Sequence, residues 1–209
     1  MTSHKKHRLM VECMLLFIGG PLALLILRSP YMLFGTLWLA SGLAWWRTRH
    51  NATPPAQPLT PHLKHLLIRF AVLAPCLLLL TRLLFPHDFL SLPRTNPKLW
   101  GIVLLLYPIL SVWPQEVLYR HFLFTRYAPA FNSTLALIII SAVTFGFAHI
   151  LFLNPIAIIL CLIGGFLFAQ GYAQHRSLRL ACLEHSLYGC LLFTAGLGRF
   201  FYTGTAWHH

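Results

Sequence analysis

The 209-residue chain holds only four carboxylates, Glu12, Asp88, Glu116 and Glu184. Asp88 falls in a polar stretch and Glu12 sits near the start of an apolar run, so both have ordinary explanations. Glu116 and Glu184 lie inside long apolar segments. A carboxylate there costs several kcal/mol unless it is paired or neutralised, which makes it a functional candidate by default. Arg120 follows Glu116 by four residues and shares its helical face. His149 (in TFGFAHILF) and His185 (in CLEHSLYG) lie in two further apolar segments. Two such histidines with a Glu–Arg pair, in a chain nearly empty of other buried charge, favour a functional reading over a structural one. The structural alternative is a buried ion pair pinning two helices, with histidines bonding helix to helix.

The elements that must carry these groups are apolar helices. The chain is 57% hydrophobic and 10% charged, against about a quarter charged in a soluble domain. The expected fold is all-α, a polytopic transmembrane helical bundle of about seven spans, six to eight. Spans are expected over 9–27, 31–46, 63–85, 99–127, 134–153, 156–173 and 178–197, each near the roughly 20 residues a bilayer needs. Pro114 is expected to kink the fourth. The Pro-rich stretch 47–62 is the main linker, 86–98 a second polar loop, and Asn154-Pro155 a tight turn. The organisation is a three-span region, 1–98, and a core, 99–209. The basic head MTSHKKHR precedes no small-x-small cleavage site, so the first span is read as retained.

The net charge of +12 comes from 16 basic residues at the ends of apolar segments. That placement suits topology signals and anionic headgroups, and nucleic acid is not an expected partner. Lys5, Lys6, Arg8, Arg47, Arg49, Lys64, Arg69, Arg120, Arg126, Arg176 and Arg179 gather at one set of ends, against Arg28, Arg82, Arg94, Lys98 and Arg199 at the other. This bias puts the N-terminus in the cytoplasm. The five cysteines fall in apolar runs without paired spacing and read as small buried hydrophobes. Gly164-Gly165 reads as a close-packing surface, and Trp45, Trp46, Trp100 and Trp113 as interfacial anchors.

Other hydrolytic chemistries fit less well. HExxH and GxSG are absent, and a two-aspartate site is excluded by a single Asp. Cys161 or Cys182 with a histidine and an arginine would imitate a thiol peptidase, but neither has a recognisable setting.

The residues Gln115-Glu116-Val117-Leu118-Tyr119-Arg120, Phe145-Gly146-Phe147-Ala148-His149 and His185-Ser186-Leu187-Tyr188-Gly189 resemble, in order and spacing, the three motifs of the CPBP, or CAAX prenyl protease type II-like, intramembrane endopeptidases. Those motifs are E-E-x-x-x-R, F-x-x-x-H and H-x-x-x-N/D. The resemblance covers roughly residues 100–198. Two positions depart from the pattern: Gln115 replaces the first glutamate, generally assigned as the base, and Gly189 replaces the Asn or Asp that helps hold the oxyanion. Glu184, beside His185, is a candidate to compensate.

The resemblance implies an endopeptidase that cleaves a membrane-anchored or lipid-modified protein tail near the membrane face with an activated water. In that scheme Glu116 with His149 polarises the water, Arg120 orients Glu116, and His185 donates to the oxyanion. Gln115 offers an amide to the substrate or oxyanion, with Phe145 and Tyr188 in support. Tyr188, four residues after Glu184, is expected to hydrogen-bond it along the helix. No cofactor is expected. A divalent metal such as zinc is the alternative for a Glu/His set, but the ligands are dispersed. Depth arithmetic places Glu116, His149 and His185 about 15, 21–24 and 10 Å from the same membrane face. They can meet only if helices tilt, break or line an aqueous cavity. A bacterial inner membrane is the expected location. Two other functions stay open on sequence: a catalytically inactive scaffold or substrate-binding protein, and a proton-coupled transporter using Glu116 and Glu184.

Overall fold

The computed structural model describes residues 2–50 and 59–202, so the centre of the Pro-rich linker and the histidine-ending tail lie outside the described residues. Among the described residues all regular structure is helical. The helices are α1 (Ser3–Leu27), α2 (Pro30–Thr48), α3 (Leu59–Leu84), the short α4 (Ser91–Thr95), α5 (Pro97–Arg126), α6 (Thr134–Phe152), α7 (Pro155–His175) and α8 (Leu178–Ala195). Five of them, α1, α3, α5, α6 and α7, are long and apolar enough to cross a membrane. With the 19-residue α2 and 18-residue α8, seven long helices form the expected polytopic bundle.

Helix starts are written locally. Ser29, Asn96, Ser133, Asn154 and Ser177 each accept a backbone N–H of the first turn, satisfying donors the helix leaves unpaired. Pro30, Pro97 and Pro155 follow three of these caps, where a proline ring costs no hydrogen bond. The α8 terminus needs Gly196, whose φ is 103° and whose absent side chain makes room for the Asp88 carbonyl. The loop before α5, read from sequence as irregular, contains α4.

The outer face is apolar and open, with Ile26 at 81% and Leu105 at 69% exposure, as lipid-facing surface requires. Polar groups turn inward. The tightest helix pair is α6 on α7: a Cβ on Gly165 would press 3.2 Å from the Ala142 backbone, and one on Gly146 would meet Leu162 at 2.5 Å. This is the small-residue packing expected of the pair, carried by Gly165, while Gly164 faces Phe168 of its own helix. Helix α5 lies at the centre, touched by α2, α6 and α8. Arg126 and Tyr127 at its end hold Glu12 of α1 through contacts of 2.8–3.1 Å.

Helix α5 does not break at Pro114. Its turns widen on both sides, over Pro108–Val112 and Val117–Phe122, into π-helical geometry. Such turns re-route the backbone bonds that proline removes and frequently mark functional sites. The Trp38 indole donates to the Leu110 carbonyl at 3.0 Å within the first wide turn, and its ring stacks on Trp113. Trp113 therefore braces α2 against α5.

Candidate active site

Glu116 sits between the two wide turns of α5 and is fully buried, as is Arg120. Its Oε2 lies 3.3 Å from Arg120 Nε, and its Oε1 accepts from His185 Nδ1 of α8 at 2.8 Å. The Arg120 guanidinium lies over the Phe145 ring at 4.6 Å and reaches the Gly165 carbonyl at 3.5 Å. Phe145 in turn separates two imidazoles, with ring centroids 4.8 Å from His149 and 5.4 Å from His185. Phe168 stacks on the other side of His185 at 4.8 Å. The structure thus brings Glu116, Arg120, Phe145, His149 and His185 into one cluster drawn from α5, α6 and α8. Helix α6 leaves α-helical geometry at His149, where the last turn tightens.

Tautomers follow from the partners. His149 Nδ1 is 2.7 Å from the Phe145 carbonyl, an acceptor only, so the proton sits on Nδ1 and Nε2 is left as an acceptor. His149 and Gln115 both line a largely apolar cavity of about 500 Å³ between α1, α2, α5 and the end of α6. In His185, Nδ1 faces the Glu116 carboxylate and Nε2 lies 3.0 Å from the Tyr107 hydroxyl. With Nδ1–H donating to Glu116, Tyr107 donates to Nε2. Both nitrogens of His185 are therefore engaged within the protein.

Gln115 Oε1 and Arg120 Nη1 are buried without a hydrogen-bond partner, and Glu116 Oε2 and Arg120 Nε, likewise without one, face each other only as an ion pair at 3.3 Å. Gln115 donates instead to Ser111 Oγ at 2.7 Å. All four atoms belong to two turns of one helix, and of their residues Gln115 lines the cavity. An unpaired buried polar group costs about 1–3 kcal/mol, more for a charge, and clustering of this kind marks a site that handles a further polar group.

Two expectations fail. Glu184 does not assist His185, because consecutive residues on a helix project about 100° apart. Its carboxylate forms an ion pair with Arg69 of α3, which also reaches Gln170 Oε1 at 3.5 Å. Tyr188 does not bond Glu184 either. Its hydroxyl has no hydrogen-bond partner, and its ring packs on Phe70 and Phe168 while Arg69 takes the carboxylate. Replacing Arg69 with Met would strand a carboxylate that is 1% exposed. Unfolding in detergent is expected to show a loss of about 3–5 kcal/mol, largely recovered in Arg69→Met/Glu184→Gln.

Tyr107 and Arg69 were missed by the motif reading. A basic residue eleven positions into an apolar helix asked for a partner, and Arg69 had been assigned to a membrane end. For Tyr107 the signal was Gly189: a Cβ there would collide with the Tyr107 ring and hydroxyl. The missing side chain at the third motif is the space this hydroxyl uses to reach His185.

No curated protein and no solved structure matches the chain. Residues 97–191 match a family model described as type II CAAX prenyl endopeptidase Rce1-like, a segment reaching from the first turn of α5 into α8 and holding Tyr107, Glu116, Arg120, His149 and His185. The chain is an integral membrane protein whose residues 97–191 are similar to the Rce1-like type II CAAX prenyl endopeptidases.

Proposed function

We propose that the protein is an intramembrane endopeptidase that uses a Glu/His-activated water to cut a membrane-anchored or lipid-modified protein tail. The observation that carries this is the buried Glu116–His185–Tyr107 chain, with Arg120 against Glu116, beside a cavity that His149 and Gln115 line. Glu116 Oε2 accepts a proton from the water, and the lone pair of His149 Nε2 orients that water from the cavity side. The hydroxide adds to the scissile carbonyl carbon. The remaining amide N–H of Gln115 donates to the oxyanion, and the proton passes to the leaving amine as the C–N bond breaks. His185 and Tyr107 are positioning residues that hold Glu116.

The wall of the cavity favours an apolar segment or lipid chain next to the scissile bond. Arg120 supplies beside Glu116 the positive charge that a cation would otherwise provide, so metal-free catalysis is proposed. The basic ends of the helices support an N-terminus in the cytoplasm and a bacterial inner membrane as the location. A proton relay through both glutamates is disfavoured, since Glu184 is committed to Arg69.

The test is purified protein in liposomes with membrane-anchored peptides, with and without a lipid modification, read by mass spectrometry. Expected are two fragments from a defined bond, undiminished after prolonged treatment with a metal chelator. Binding without fragments would identify a scaffold, and loss on chelation with recovery on zinc would overturn the metal-free mechanism.

A further inference from the structure

Helix α8 carries Glu184 immediately before His185, and the two side chains leave it about 100° apart. His185 reaches Glu116 of α5, while Glu184 turns toward α3 and α7. Both are buried, at 5% and 1% exposure. Arg69 of α3 pairs through Nη2 with Glu184 Oε1, and its Nη1 reaches Gln170 Oε1 of α7 at 3.5 Å. One guanidinium is thereby committed to α7 and α8 together.

The second carboxylate oxygen, Glu184 Oε2, is buried and has no hydrogen-bond partner among the described residues. The same holds for Nε2 of His175, the last residue of α7, which is 4% exposed. Its Nδ1 accepts the Ser177 N–H at 3.0 Å, so the ring proton sits on Nε2. One group is an acceptor without a donor, and the other is a donor without an acceptor. Each is costly alone, and each supplies what the other lacks. Gly171 is where they meet: a Cβ there would lie 3.0 Å from Glu184 Oε2, 3.3 Å from His175 Nε2 and 3.5 Å from Arg69 Nη2. The absent side chain leaves three polar atoms from three helices facing one point.

We propose that His175 donates its Nε2–H to Glu184 Oε2 across the space at Gly171, and that the resulting Arg69–Glu184–His175 clamp is the positioning element that sets the rotation of α8 and with it the reach of His185 to Glu116. Glu184 has no direct hand in the chemistry. Its effect passes through the helix that the two residues share. Tyr107 and Glu116 hold α8 from the side of α5, and the clamp holds it from the side of α3 and α7. Ser177 takes part by fixing the one tautomer of His175 that can donate from Nε2. Arg69 lies outside residues 97–191, so the clamp couples α3 to the segment that the family model covers. The effect on rate rests on the peptidase reading, since a displacement of about 1 Å can cost a catalytic constellation about a hundredfold; the effect on geometry does not.

The full chain, labelled with nitrogen-enriched histidine and purified in detergent, is followed by NMR of its ring N–H groups and by cleavage kinetics. In the wild type the His175 Nε2–H signal is expected downfield and slow to exchange with solvent, as for a buried proton held by a carboxylate. His175→Phe keeps a ring and removes the donor. It should move the His185 Nδ1–H signal upfield as the bond to Glu116 lengthens, and lower kcat about ten- to a hundredfold with KM within about twofold. His175→Gln retains an amide donor and should keep the His185 signal and most of kcat. An unshifted His185 signal in His175→Phe overturns the proposal. So does a wild-type His175 proton that exchanges like that of a free imidazole, a measurement for which no variant has to fold. Equal losses in His175→Phe and His175→Gln would assign the effect to packing and overturn the donor as well. If the wild type cleaves none of the peptides, the peptidase reading fails by itself, and the two NMR signals still decide the clamp.

Discussion

Glu116→Gln is expected to lower cleavage by about a hundred- to ten-thousandfold, the range over which a positioned general base contributes. The substitution preserves shape and can still bond His185, so the loss reports on proton transfer more than on packing. It carries one structural cost. Arg120 is fully buried, with its charge against Glu116, and removing the carboxylate leaves that charge uncompensated at about 3–5 kcal/mol. Stability and chemistry separate in Glu116→Gln/Arg120→Gln, which should recover much of the thermal midpoint and none of the activity. Cleavage within a few-fold of wild type in the single variant would remove Glu116 from the mechanism. Activity restored in the double variant would show that the single variant failed by misfolding.

What sequence made legible follows from the solvent it is written for. A bilayer demands long apolar helices with satisfied backbones, so the bundle and its seven long helices could be read from residue order. It also makes buried charge rare and costly, which is why Glu116, Arg120, His149 and His185 stood out; the structure places the last three around Phe145 and Glu116 against Arg120 and His185. What stayed hidden is which partner each polar group takes across helices. Glu184 and Tyr188 are four residues apart and could meet on one face, yet Arg69, 115 residues away in the chain, holds the carboxylate. Proline chemistry at Pro114 announced a disturbance of α5 but not its form, because wide turns on either side absorb the lost hydrogen bond. Gly189 read as a missing group, whereas in three dimensions it is room for one.

That room yields the second large effect. Gly189→Asn restores the residue type that the third motif usually carries, yet it should nearly abolish folding or cleavage, because a side chain there meets the Tyr107 ring. Overpacking of this kind costs about 1–3 kcal/mol or more, and the displaced hydroxyl would also leave His185. Tyr107→Phe keeps the packing and removes only the donor to Nε2. The His185 proton is then free to move to Nε2, and Nδ1–H no longer holds Glu116. Cleavage should fall about ten- to a hundredfold, the size typical of losing a partner that orients another site group. Nitrogen NMR of His185 should show the tautomer change, a signature that a merely structural tyrosine would not produce. In Gly189→Asn/Tyr107→Ala the ring is gone, and the asparagine amide can enter its space and donate to Nε2. Activity should return above that of either single variant. If Tyr107→Phe cleaves at the wild-type rate with an unchanged His185 spectrum, the hydroxyl has no part in holding the site, and the glycine at position 189 is then a plain loss.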